Sequence, residues 1–303
     1  MMIKKNESKN IIYNEYNKMT KPDKILIKKN NHVRDNNIKF YEQGHRYSIL
    51  SDPHSKYTSV TTWNHSHFEK FNADEVIKKM MKSNNWKEGH KYWGLSPYEI
   101  KTQWSNNGSS VSQLGTDLHN DIECFMNNKG LNTVYSHEDL YNDYINSTKV
   151  ISSVVPVSVE WQYFINFVKD NKDMKPYRTE WTIYDEDLKL AGSIDMVYEN
   201  LDGSLSIYDW KRSKDITRIS TWNKFAITES INNIPDSNFW HYALQLNTYK
   251  SILERKYEKK VKDLYLVRLH PDAENNNYDL IKIPDLKEEM EVLFIEILSS
   301  KNA

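Results

Sequence analysis

AGSIDMVYENLDGSLSIYDWKRSK (residues 191–214) reads as two strands joined by a turn at Asp202-Gly203. In the second strand Asp209 and Lys211 are two residues apart and share a face, while Tyr208 and Trp210 point the other way. Asp195 joins that face only if the numbers of paired residues sum to an even value, because a slip by one residue turns every side chain to the opposite face. A three-residue loop, Leu201-Asp202-Gly203, pairs Asn200 with Ser204 and sets Asp195 across from Asp209. Such loops end in a residue of positive φ, the place that Gly203 takes. A two-residue Asp-Gly turn would put the carboxylates on opposite faces, so the expectation is a loop of odd length.

Two carboxylates that face each other raise each other's pKa, and a divalent cation removes that cost. Hard oxygen ligands of this kind suit Mg²⁺ or Mn²⁺. An adjacent Lys211 could orient a water or stabilise charge on a phosphate. The plain alternative is a surface hairpin with a cross-strand Asp–Lys ion pair, and the spacing alone does not separate the two.

Outward from this hairpin, Thr179 to Tyr184 reads as a preceding strand, giving three strands over 179–184, 190–198 and 205–211. A helix is expected over 239–257, then strands over 263–270 and 278–283 and a C-terminal helix. Upstream, Leu114, Leu118, Ile122, Phe125 and Met126 recur at helical spacing and predict a helix over 111–127, with Ser110 and Gln113 spaced as a capping box. A second amphipathic helix is expected over 157–172, behind Pro156. Short alternating runs over 39–62 suggest a hairpin, followed by a helix near 73–81 and a Trp- and Asn-rich helix and loop over 86–108. Residues 1–36 are basic and weakly periodic and read as a flexible arm. The fold class is α/β, a mixed central sheet flanked by helices with an N-terminal helical extension. The segments divide as an arm (1–36), a hairpin and helical region (37–110) and a core (111–303).

The 303 residues are enough for one large domain, and nine Trp, twenty Tyr and 38% hydrophobic residues supply a core despite a mean hydropathy of −0.79. A net charge of −1 gives no global basic footprint, although nine Lys and Arg against four acids crowd residues 1–35. No apolar run is long enough for a membrane span, and the start, MMIKKNESKN, lacks the apolar stretch of a secretory signal. With Cys124 as the sole cysteine, neither an intramolecular disulfide nor a Cys-ligated zinc or iron–sulfur site can be built. An intracellular, reducing setting is the expectation.

Glu180, then Gly192-Ser193-Ile194-Asp195, then Asp209-Trp210-Lys211 resembles the signature of the PD-(D/E)XK nuclease superfamily. Gly115-Thr116-Asp117-Leu118-His119-Asn120-Asp121-Ile122-Glu123 resembles the G-x-x-x-H-x-x-x-E helix of its RecB-like exonuclease branch, and Gln245-Leu246-Asn247-Thr248-Tyr249 resembles that branch's Q-x-x-x-Y motif. The pieces stand in the family's order over about 135 residues. Tyr57-Thr58-Ser59-Val60-Thr61 is distantly similar to viral and mitochondrial exonucleases of the group.

The resemblance implies a restriction-endonuclease-like core over 111–303 and a Mg²⁺- or Mn²⁺-dependent DNA nuclease, an exonuclease acting on ends or single strands in replication, recombination or repair. It implies Asp195, Asp209 and His119 as metal ligands, with the Trp210 backbone carbonyl as another and Glu123 bound through water or orienting His119. It implies Glu180 at the pocket edge and Lys211 as the catalytic lysine. Gln245 and Tyr249 would face the phosphate or brace Lys211, and Arg212 and Ser213 would touch the DNA backbone. Plain readings stand beside these: a packed helix His119, solvated Glu123, Glu180 and Arg212, and ordinary helix packing for Tyr249. Products with 5′-phosphate and 3′-hydroxyl ends, and single strands threaded through a helical arch, follow from the likeness as well. Trp86, Trp93 and Trp104 could stack unpaired bases, although core packing is the commoner use of tryptophan. The basic arm could track the phosphate backbone.

The four cysteines that hold an iron–sulfur cluster in some relatives are missing, so none is implied. There is no G-x-x-x-x-G-K-[ST] loop either, so any helicase would be a separate protein. Two alternatives remain open. The His, Asp, acidic and Lys set also resembles viral RNA endonucleases, against which the Gln245/Tyr249 motif argues. A non-catalytic nucleic-acid-binding protein that kept the fold is the other.

Overall fold

Three strands in an antiparallel meander, β4 (Lys175–Asp185), β5 (Leu190–Glu199) and β6 (Leu205–Lys211), form one side of the sheet, with β4 at its edge. The computed structural model describes residues 24–127, 136–148 and 158–300. From Met196 with Tyr208 to Glu199 with Leu205, β5 and β6 pair in the register that the odd loop requires. Asn200 donates to the Ser204 carbonyl at 2.8 Å, and Gly203 has φ +77°. After β6, helix α7 (Asn238–Lys256) crosses over the sheet. Strand β7 (Val261–Arg268) then lies parallel to β6, and β8 (Asp279–Lys282) antiparallel to β7. A two-residue strand, β3 (Thr58–Ser59), runs parallel to the start of β5. The result is a mixed sheet flanked by helices, with an N-terminal helical part, as the α/β class requires.

Each face of the sheet carries its own core. On one, Leu244, Tyr249 and Leu253 of α7 and Leu293 and Phe294 of α8 (Lys287–Ser300) pack on Ile194, Val197 and Ile207. On the other, Leu118 and Ile122 of α4 (Pro97–Met126), Leu140 of α5 (His137–Thr148) and Phe164 and Phe167 of α6 (Val159–Asp170) cover Met196, Tyr208 and Trp210. Each such fully buried side chain is worth about 2 kcal/mol. Ile194 and Met196 are two residues apart, so regular alternation would put them on one face. They belong to different cores, so the strand reverses its faces at Asp195.

Several N-terminal expectations are corrected. Helix α4 begins at Pro97, fourteen residues ahead of the expected start. Ser96 and Glu99 make the capping box with Pro97 at the first position, a stronger signal than Ser110 and Gln113. Gln113 lies inside the helix and donates to Asp117. Residues 105–114 of this helix are exposed all round, so no apolar stripe marked it.

The hairpin expected over 39–62 is only β1 (Ile38–Tyr41) and β2 (Arg46–Ile49). Val60–His65 is instead a helix, α2, capped by Ser59, and α3 (Ala73–Met81) follows where expected. Trp86, Trp93 and Trp104 sit among neighbouring rings of His90, Tyr92 and Phe71, with Trp93 about half exposed.

Of the expected flexible arm, residues 1–23 lie outside the described residues. The rest is packed: Ile25–Lys29 is a short helix, α1, that buries Leu26, and Val33–Asn37 is a 3₁₀ turn. Arg34 and Asp35 from that turn pair with Glu186 and Arg178. Among the described residues no helix is long and apolar enough to cross a membrane.

Candidate metal centre

Strand β4 pairs with one edge of β5 along nearly all of its length. The other edge pairs with β3 at Leu190 and Ala191 and with β6 from Met196 onward. Residues 192–195 are left in a fork between the two neighbours. Asp195 sits in that fork, where its Oδ2 accepts the Trp210 backbone N–H at 3.1 Å in place of a ladder bond.

Glu180 stands opposite Asp195, between the pairs Thr179–Met196 and Trp181–Ile194. Its φ of +41° is left-handed, a conformation that costs a non-glycine residue of order 1 kcal/mol and turns its side chain out of the regular strand direction. Ser193 Oγ holds its carboxylate at 3.0 Å.

Helix α4 brings His119 over this fork. Its Nε2 lies 2.9 Å from the Trp210 carbonyl oxygen, which can only accept, so Nε2 carries the proton. The carbonyl expected as a metal ligand here accepts from the imidazole and holds it from behind. Nδ1 then faces Asp195 Oδ2 at 3.5 Å and Glu180 Oε1 at 3.9 Å. A bare lone pair against two carboxylates is repulsive, so either a proton or a cation belongs between them. Burial pulls the His119 pKa down, but the charges on Asp195 and Glu180 outweigh it and raise it to about 9.

His119, Glu180 and Asp195 each offer one ligand atom, all within 4.8 Å of one another. One imidazole and two carboxylates form a donor set that fits a hard divalent cation.

Asp209 is buried next to this set but outside it. Its Oδ2 lies 2.5 Å from Lys211 Nζ. Burial and the charge of Asp195 push its pKa up to about 6, in spite of Lys211. Glu123, one helical turn beyond His119, is pushed up to about 7 by burial and by the charge of Glu180. Asp195 is raised as well, by burial first and by Glu180 next. Burial works against the Lys211 ammonium, yet Asp209 and Asp195 hold it charged. Its Nζ also lies 4.6 Å from the centre of the Tyr242 ring on α7.

The remaining expected residues take structural partners. Gln245 donates to the Tyr249 hydroxyl at 3.1 Å, and Tyr249 is buried against Gly192, where an added Cβ would come within 2.6 Å of its ring. Tyr242, one turn earlier, is the residue that braces Lys211. Its three-residue offset from Gln245 was a signal in the sequence. Arg212 is tied to Glu160 at 2.7 Å, and the Ser213 hydroxyl donates to the Asp215 carbonyl.

Asn127 carried no sequence signal. It ends α4, is buried, and joins three elements: its Oδ1 accepts from Leu26 N–H at 3.1 Å, and its Nδ2 donates to the Glu123 carbonyl at 2.9 Å and to Thr179 Oγ1 at 2.8 Å. The helix bearing His119 is thereby pinned to the residue before Glu180. The chain matches no protein-family model and no curated protein.

Proposed function

We propose that the protein is a Mg²⁺- or Mn²⁺-dependent nuclease that hydrolyses DNA phosphodiester bonds, with a restriction-endonuclease-like core of the RecB-like kind. The observation that carries this reading is the convergence of His119, Glu180 and Asp195 on one point, with the Lys211 ammonium alongside on Asp209. The motif order read from the sequence supports it independently, and favours DNA ends or single strands.

His119 through Nδ1, Glu180 and Asp195 would hold the ion, and Asp209 and Glu123 add negative charge at its edge. A divalent cation bound there supplies a low-pKa water and screening of the phosphate charge. Lys211, fixed between Asp209 and the Tyr242 ring, is placed to orient the attacking water and to stabilise the charge that grows on the phosphate oxygens. Water oxygen bonds to phosphorus as the bond to the 3′ oxygen breaks, leaving a 5′-phosphate and a 3′-hydroxyl.

The Gln245–Tyr249 pair, the motif that separates DNA from RNA in the likeness, is engaged in packing, so both polymers belong in the test. Linear and circular, single- and double-stranded DNA, and RNA, are incubated with Mg²⁺ and with EDTA. Cleavage of DNA that needs Mg²⁺ and is lost in Asp195→Asn is the expected result. Intact DNA under every metal condition, or Asp195→Asn as active as the wild type, ends the reading.

A further inference from the structure

The loop from β6 to α7 begins at the catalytic lysine and presents four large apolar side chains to solvent: Ile219 at 80% exposure, Trp222 at 78%, Ile227 at 64% and Phe225 at 44%. Monomeric surfaces seldom gather such residues without a use for them. This loop is not loosely held. Asn238, in the first turn of α7, donates to the Asp215 carbonyl and accepts from Thr217 N–H. Trp240 Nε1 donates to the Arg218 carbonyl, Ser220 Oγ accepts from Lys224 N–H, and Ile227 N–H is bound by the His67 carbonyl. The exposed side chains are thus displayed on a fixed backbone. Tyr242, which carries Lys211, is only two residues from the Trp240 that holds the loop, so the ridge starts beside the site.

The charge of the ridge selects its ligand. Residues 214–227 hold three Lys and Arg and one Asp, in a chain of net charge −1. Lys214 and Lys224 are on the surface, paired with Asp272 at 3.6 Å and Glu69 at 2.5 Å. Exposed pairs of this sort are weak enough for a phosphate to replace the carboxylate. Arg218 stacks on Phe239 with its guanidinium 4.0 Å from the ring centre. Cations alternating with an exposed indole suit a chain with phosphates on one side and unstacked bases on the other.

We infer that the 214–227 loop is a binding ridge for single-stranded nucleic acid, in which Trp222 stacks on an unpaired base and Lys214, Arg218 and Lys224 meet the backbone. The inference deepens the nuclease reading, and rests on it for the use of the ridge.

The test is equilibrium binding of a fluorescein-labelled oligothymidylate to the full chain in EDTA, read by anisotropy. Trp222→Ala is expected to weaken binding about tenfold, Trp222→Phe to retain most of it, and a blunt duplex to respond less. Trp222 is exposed, so the thermal midpoint stays where it was. Equal binding by wild type and Trp222→Ala overturns the ridge, as does a wild type that does not bind the oligonucleotide. Self-association that Trp222→Ala abolishes while oligonucleotide binding is unchanged assigns the ridge to a second copy of the chain, and overturns the inference too. A wild type that binds through Trp222 but cleaves nothing with Mg²⁺ leaves the ridge standing and ends the nuclease reading.

Discussion

Two clusters of charge flank β4, and they are built on opposite principles. At its outer side Arg178 pairs with Asp35 at 2.7 Å and donates to the Asn30 carbonyl. Trp181 Nε1 donates to the same Asp35, and Arg34 binds Glu186 at 2.6 Å while stacking on Tyr184. Every carboxylate there has a cation. Burial presses the Glu186 pKa upward, but Arg34 outweighs it and the value falls below the usual range. At the fork, Glu123, Glu180, Asp195 and Asp209 face Lys211 and the His119 imidazole, with Lys24 acting on Glu123 alone among them, and Glu123 and Asp209 are still pushed up to about 7 and about 6. Burial acts on both clusters, so it does not distinguish them. The balance of charge does: a network that closes on itself holds the chain in place, and one with acid to spare is where the proposed cation would find its ligands.

Removing a charge should therefore have opposite consequences in the two places. Asp195→Asn is expected to lower metal-dependent cleavage by at least about a thousandfold, because it deletes an ion ligand. In EDTA the same variant should melt at a higher temperature than the wild type, since a buried carboxylate leaves an acid-rich pocket. Arg178→Met strands Asp35 and should cost about 3 kcal/mol of stability, read as a lower denaturant midpoint. If Asp195→Asn lowers the EDTA melting temperature as Arg178→Met does, the two clusters are of one kind and the contrast fails.

Acidity gives a smaller but signed effect. The folded pKa of His119 is about 9, above its unfolded value near 6.5. Its stabilising contribution is complete below about 6.5 and is lost as the pH rises through about 9. Asp209, raised to about 6, disfavours the folded state as it ionises, so the two groups act in the same direction. In EDTA the melting temperature should fall from pH 6 to 9. Mn²⁺ should raise it more at pH 8.5 than at pH 6, because the ion displaces the proton on Nδ1. A Mn²⁺ shift that is the same at both pH values would place the ion elsewhere.

The central hairpin was legible because its register follows from arithmetic on loop length, and Gly203 supplied the residue that the loop needs. The face reversal at Asp195 was not, because a left-handed Glu180 is an exception to strand alternation that no pattern announces. Helix α4 was half legible: its packed end has an apolar stripe, and its exposed stretch over 105–114 has none. The packed helix at Ile25–Lys29 was lost in a basic, weakly periodic segment, since a single buried Leu26 and long-range pairs hold it there. Arg212, expected to touch DNA, is bound by Glu160, fifty-two residues away, a partner that only the fold could bring.

The smallest expected effect bears on how the acid-rich cluster keeps its geometry. Asn127 Nδ2 reaches Thr179 Oγ1, and Thr179 precedes the strained Glu180, so this bond registers the His119 helix against the Glu180 strand. Thr179→Val keeps the shape of the side chain and deletes the acceptor, leaving one buried N–H bond unmade at a cost of about 1 kcal/mol. If Asn127 positions the ligands, the Mn²⁺ concentration for half-maximal cleavage should rise about tenfold, while the rate at saturating Mn²⁺ changes little. If Asn127 is only the end cap of α4, Thr179→Val should lower the melting temperature by a few degrees and leave the metal dependence where it was. The ligand atoms of His119 and Glu180 would then be held by the sheet and helix alone, with the bond between them a matter of packing.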